Sequence, residues 1–158
     1  MKIWIVNESQ YGNGQKLSEA LQKGIGKDAE VNVSHIDNVS VEKVVNDAPD
    51  MLIVIIAVRM FMLSNKMKKW LRALKGKLKK ENKTIKSTAV YLTHIMKVDT
   101  VKFWGKRILK IQQKGKAFTK IYPEWISAQV ADAKGPFIAG KLEELEKNVT
   151  EILKWAKS

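Results

Sequence analysis

The 158-residue chain has no cysteine. That excludes disulfides, thiolate metal sites and any covalent thiol mechanism. Histidine is nearly missing as well. His35 and His94 are the only two, they lie far apart and no carboxylate pattern accompanies them, so no metal site is expected. Long hydrophobic runs are lacking. The longest, Met51 to Val58, falls far short of the roughly 20 apolar residues needed to cross a bilayer as a helix. The first apolar run, Ile3 to Val6, is too short for a signal-peptide core and has no small-residue cleavage site after it. A soluble, cytoplasmic protein is the expectation. Acidic residues are scarce: 16 Asp and Glu against 29 Lys and Arg, for a net charge of +13. The imbalance is local, with ten Lys or Arg against Glu81 alone in residues 66–86, and eight against Asp99 alone in residues 97–120. A concentrated basic surface points to an anionic partner: an acidic protein, a membrane face or nucleic acid.

What is present fits a globular chain. Hydrophobic residues make up 45% of it, enough for one domain over residues 1–158 with a true core. Lys2 to Asn7 reads as a fully buried strand and Met51 to Val58 as the most central one. Glu30 to Ile36 alternates apolar and polar residues, as an edge strand does. Ser87 to Thr93 and roughly Trp125 to Ala131 complete five strands. Helical spacing appears in Leu17–Ala20–Leu21–Ile25 (ended by Gly24 and Gly26), in Val41–Val44–Val45, and in Met67–Trp70–Leu71–Leu74 after Ser64 as cap. It recurs in Val101–Trp104–Ile108–Ile111 and in Leu142–Leu145–Val149–Ile152–Leu153, while Gly76 to Lys86 reads as a Lys-rich connection. Strands alternating with helices predict an α/β fold, a three-layer α/β/α sandwich on a five-stranded parallel sheet, and 2-1-3-4-5 is one of the two common strand orders of such sheets.

In such a sheet a ligand sits beyond the carboxyl ends of the strands, at the switch point. Three loops meet there: Ser9–Gln15, Val58–Leu63 and His94–Lys97. The first, Ser-Gln-Tyr-Gly-Asn-Gly-Gln, follows a strand and opens a helix. Hydroxyls and backbone N–H groups converge at the positive end of a helix dipole, which suits phosphate. The ordinary alternative is a plain turn with Ser9 or Asn13 capping the helix. A phospho-accepting regulator of the same architecture needs paired carboxylates after the first strand and an aspartate after the third. Glu8 alone and Val58-Arg59 stand there, so that reading fails. A dinucleotide fingerprint fails too, because Leu17 follows Gly12-x-Gly14 where a small residue is required.

The three loops together resemble those of the flavodoxin-like superfamily over nearly the whole chain. Ser9, Tyr11, Gly12 and Asn13 match its phosphate loop, while Gly14 stands where a hydroxyl residue is common. Met67-Lys68-Lys69-Trp70 matches its third helix, and Ala57-Val58-Arg59-Met60-Phe61 is similar to the second loop of the protoporphyrinogen dehydrogenase branch. Gly135-Pro136-Phe137 with Gly140 resembles the approach to the last helix in related proteins. The resemblance implies FMN as cofactor, held by Ser9, Gln10, Tyr11, Gly12, Asn13, Gly14, Gln15, Val58, Arg59, Met60, Phe61, His94, Ile95 and Met96.

The flavin would carry the chemistry, with no catalytic side chain. Arg59 would either raise its potential or point into solvent; His94 would either bond the flavin or relay a proton, or simply cap its strand. His35, on the edge strand far from the site, is assigned no role. Three functions follow: an FMN oxidoreductase, an electron carrier docking acidic partners, or a flavin-free binding module. The basic segments 66–86 and 97–120 suit an acidic redox protein such as a ferredoxin, or an anionic membrane surface carrying quinone. No nucleic-acid recognition motif is present, and the sequence leaves a homodimer open.

Overall fold

The computed structural model describes every residue from Met1 to Ser158. Five helices and seven strands follow in the order β1 (Lys2–Asn7), α1 (Asn13–Ile25), β2 (Glu30–His35), α2 (Val41–Asp47), β3 (Met51–Arg59), β4 (Met62–Leu63), α3 (Asn65–Lys80), β5 (Ile85–His94), α4 (Val98–Gln113), β6 (Phe118–Ile121), β7 (Ile126–Gln129) and α5 (Lys141–Lys157). The parallel sheet runs β2-β1-β3-β5, with β6 and β7 successively along the outer side of β5. Counting β6 and β7 as one interrupted strand, and β4 as a hairpin arm on β3, the order is the expected 2-1-3-4-5.

Strand periodicity divides the core in two. Trp4, Val6, Leu52, Val54 and Ile56 point to one face, where α2, α3 and α4 pack on them through Val44, Leu71, Leu74 and Ile108. Ile3, Ile5, Met51, Ile53 and Ile55 point to the other face, under α1 and α5 with Leu17, Leu21, Val149 and Ile152. β3 is central and buried along almost its whole length because both of its faces are covered. At the opposite end of the sheet from the candidate site, Asp47 accepts from the Trp4 indole (2.7 Å) and pairs with Lys2 (2.9 Å).

Three boundaries differ from the sequence expectation. Gly24 lies inside α1 rather than ending it; a Cβ there would come within 2.1 Å of the Glu146 carbonyl, so its absence lets α1 and α5 approach. Gly26, at φ 60°, is the true stop. α3 runs on to Lys80, because Leu78 extends the stripe of Leu71 and Leu74 and Gly76 falls on its open side. The last strand is in two pieces. Tyr122 still donates to the Thr88 carbonyl (2.9 Å), but Pro123 has no N–H to give, and the chain resumes pairing only at Ile126. In the gap the Trp125 ring turns inward against Gly105 of α4, where no Cβ would fit.

The two helical layers differ sharply in charge. α3 carries eight Lys or Arg and no acidic residue, whereas α5 carries four lysines and four glutamates. The two basic stretches of the sequence thus belong to one side of the sandwich. No helix is long and apolar enough to cross a membrane.

Candidate functional site

The carboxyl ends of β1, β3 and β5 frame a cavity of about 470 Å³. Its lining takes Ser9, Gln10, Tyr11 and Asn13 from the first loop, Val58, Arg59, Met60 and Phe61 from the second, and His94, Ile95 and Met96 from the third. Eleven of the fourteen residues expected from the sequence therefore meet at one opening. Gly12, Gly14 and Gln15 lie outside the lining. Ala57, Thr93, Val130 and Ala133 join it without having been anticipated.

Gly12 is the N-cap of α1, at φ 87°, and no side chain caps the helix. An ordinary turn closed by Ser9 or Asn13 is therefore not what forms. The first-turn amides are left for a ligand, with no acidic residue in that turn to oppose an anion. Asn13 reaches sideways instead: its Nδ2 donates to the Ala133 carbonyl (2.9 Å), and its Oδ1 is buried without a partner. Gly14 is buried, and a Cβ on it would sit 2.9 Å from that of Ser9 and 3.1 Å from that of Asn7. A hydroxyl residue there would force the loop off the strand. Gly14 thus fits the tight return of the chain, and below it Ser18 Oγ donates to the Gly14 carbonyl while Asn7 Nδ2 donates to Ser18 Oγ.

The loop is braced from behind by His35, contrary to the expectation that this residue lies far from the site. Parallel pairing sets His35 opposite Asn7. The Asp37 amide donates to Nδ1 (3.1 Å), and Nε2 on the far side of the ring lies 3.1 Å from the Ser9 carbonyl oxygen and 3.4 Å from the Ser9 amide nitrogen. Asp37 is itself held by Lys66 of α3 at 2.7 Å, and this ion pair keeps the Asp37 carboxyl below its usual range.

The second loop is a tight hairpin. β3 turns at Met60 and Phe61 into β4, with Arg59 opposite Met62. Met60 (φ 46°) and Phe61 (φ 62°) both adopt the left-handed conformation that a two-residue hairpin demands and that large side chains disfavour. Both side chains are exposed. Arg59 is not a solitary cation, because its Nη2 lies 2.8 Å from Glu8 Oε1. Glu8 is buried, with Oε2 lacking any partner. Sequence inspection assigned Glu8 nothing beyond its failure to make an acidic pair. Its signal was its place just past the end of the first strand, beside the strand that ends in Arg59.

His94 is buried and both ring nitrogens are engaged inside the protein. Nδ1–H donates to the Met96 carbonyl (2.6 Å) and the Ser127 hydroxyl donates to Nε2 (2.7 Å). Burial pushes its pKa below the ordinary 6.5, against the Met96 bond, and Lys141 adds to the lowering. Neither nitrogen is free for a ligand or a proton relay; the ring walls the cavity and holds the third loop to β7. A fourth segment closes the site. Gly135, at φ 93°, leaves room for Asn13 Oδ1, which a Cβ would approach to 3.2 Å. Lys134 Nζ sits 5.8 Å over the Tyr11 ring. No group of three or more His, Asp or Glu side chains is arranged to hold a metal ion.

No family model matches the sequence, and no curated protein aligns with it significantly. Solved structures do match. A flavodoxin from the domain Archaea is 16% identical, with a TM-score of 0.72 over 100% of both chains. A WrbA-like flavodoxin from Agrobacterium tumefaciens is 18% identical, with a TM-score of 0.73 over 99% of this chain and 97% of that one. Rubredoxin oxygen:oxidoreductase from Desulfovibrio gigas is 12% identical, with a TM-score of 0.70 over 99% of this chain but only 36% of that one. The chain has the flavodoxin-like fold.

Proposed function

We propose that the cavity binds FMN and that the protein is an oxidoreductase working through it. One observation carries the reading: an uncapped helix N-terminus, entered by a hydroxyl- and glycine-bearing loop, opens beside a mainly apolar cavity of ligand size at the switch point of the sheet. The solved structures of this fold include several flavodoxins. The residues fit the cofactor. Ser9 and the amides from Asn13 to Gln15 suit a phosphate dianion, and Asn13 Oδ1, buried and unpaired, suits a ligand donor. Ala57, Val58, Met60, Phe61, Ile95 and Met96 supply apolar walls for a flat ring.

A bound flavin supplies the electron or hydride transfer itself. The chain orients it, excludes water and sets its electrostatic surroundings. Arg59 puts a cation in the wall, and Glu8 offsets part of its field. The net pull toward a reduced, anionic ring is weaker than an unpaired arginine would exert.

The charge of α3 favours one other reading, a non-enzymatic carrier docking an acidic redox protein. Purified protein should show flavin bands near roughly 370 and 450 nm, or acquire them with excess FMN. No bands under either condition overturns both readings. Turnover with NAD(P)H and a quinone marks an enzyme, and reduction by a redox protein alone marks a carrier.

A further inference from the structure

We propose that the β3–β4 hairpin and the start of α4 form a docking corner by which the protein seats on an anionic lipid bilayer. Large apolar side chains stand exposed on these two elements: Met60 is 91% exposed, Phe61 64%, Met62 53%, Val98 43% and Phe103 63%. Phe103 packs edge-to-face on its neighbour Trp104, with ring centroids 5.0 Å apart, and still leaves most of its surface open. Met60 and Phe61 hold positive φ at a turn where asparagine and glycine are favoured, so neither the backbone nor the core gains from their identity. Contacts made outside the protein would compensate.

A ligand in the cavity explains part of this, since Met60 and Phe61 line it. It leaves Met62, Val98 and Phe103 uncovered, because these three are outside the lining. Met62 is on the returning arm of the hairpin, and Val98 and Phe103 are in the first two turns of α4. Hairpin and helix extend the carboxyl ends of the adjacent strands β3 and β5.

Exposed cations stand on α3, the helix that follows the hairpin, and at the head of α4: Lys66 and Lys69 on the first, Lys97 and Lys102 on the second. Of these only Lys66 has a carboxylate partner. A bilayer fits this surface better than an acidic protein does. The tip is a projecting two-residue turn with a flexible thioether and an aromatic ring, which enters a deformable interface without a matching cleft. The unpaired lysines spread over two helices and suit a continuous anionic plane. This docking goes beyond the flavin reading and does not depend on it.

Co-sedimentation of the full chain, with and without FMN, tests the proposal. The vesicles are phosphatidylcholine alone, or phosphatidylcholine with phosphatidylglycerol. Binding is expected to the anionic vesicles only, and to weaken as salt rises. The double variant Met62→Thr/Phe103→Ser should weaken it about tenfold or more, with the thermal midpoint and flavin binding unchanged. Lys97→Glu/Lys102→Glu should abolish it. Absence of binding to anionic vesicles overturns the proposal, as does wild-type binding by the Met62→Thr/Phe103→Ser protein. Retention on polyglutamate without vesicle binding also overturns it and assigns the surface to an acidic protein. Vesicle binding by protein that never acquires flavin bands upholds the docking and overturns only the flavin reading.

Discussion

Glu8 and Arg59 meet at 2.8 Å across the carboxyl ends of neighbouring strands, and the Glu8 side chain is 7% exposed while that of Arg59 is 38% exposed. The carboxylate is therefore the member that depends on the pair. Arg59→Met would strand it, at a cost of roughly 2 kcal/mol, below the ~3–5 kcal/mol of fully enclosed pairs because solvent already reaches Arg59. Glu8→Gln, which leaves no buried charge, should cost less, and the double variant should recover part of the Arg59→Met loss. Urea denaturation of the three proteins measures the coupling; equal, additive losses would show that the two side chains do not interact energetically. In flavin-loaded protein, Glu8→Gln should also raise the midpoint potential by unmasking Arg59.

His94 makes stability depend on pH. Its folded pKa is depressed by burial, so between that value and the ordinary 6.5 the unfolded chain binds a proton that the folded chain does not. Stability from this residue is complete above the ordinary value and is lost as pH falls below it. The thermal midpoint of the wild type should drop from pH 7 toward pH 5, and His94→Gln should flatten that slope. An unchanged slope would locate the titrating group elsewhere.

The strained turn at Met60 and Phe61 predicts a trade of stability for binding. Met60→Asn/Phe61→Gly gives the hairpin residues suited to positive φ and should raise unfolding stability by about 1 kcal/mol. The same change strips apolar wall from the cavity and should lower FMN affinity. A less stable variant would mean that these side chains are held by contacts within the fold.

Asn13 tests where phosphate binds. Asn13→Asp removes the donor to the Ala133 carbonyl and puts a carboxylate at the positive end of α1. FMN affinity should fall about tenfold or more, whereas riboflavin, which has no phosphate, should lose much less. Titrations of both ligands, followed by fluorescence quenching, separate the effects; parallel losses would move the phosphate away from this loop.

Gly24 tests the contact between α1 and α5. Gly24→Ala would drive a methyl into the Glu146 carbonyl and should destabilise by about 1–3 kcal/mol despite alanine's better helix propensity. A stabilised variant would show that the two helices can part without loss.

Much of this was written plainly in the sequence. The apolar spacing of the helices, the unbroken hydrophobicity of β3 and the small-residue loop after β1 each reflect a local rule. Together they gave the layers, while the strand order and the fourteen expected site residues, eleven of them in the cavity lining, came with the resemblance to flavodoxin-like proteins. What escaped notice depends on long-range register. His35 lies 26 residues from Ser9, and only the parallel pairing of β2 with β1 brings them together. Glu8 and Arg59 are joined in the same way by adjacent strand ends. Gly24 resembles a helix stop because sequence does not reveal that another helix needs its space. Val130 and Ala133 reach the cavity because the chain beyond β7 folds back over Asn13, which no periodicity encodes.

The interruption at Pro123 changes what one edge of the sheet offers to another chain. The outer side of β5 is covered by two four-residue strands, not one long one. An incoming strand from another copy would find two short templates separated by a kink, never a continuous row of unpaired amides and carbonyls. With a net charge of +13 on every copy, pairing of copies along this edge is opposed by both backbone geometry and mutual repulsion.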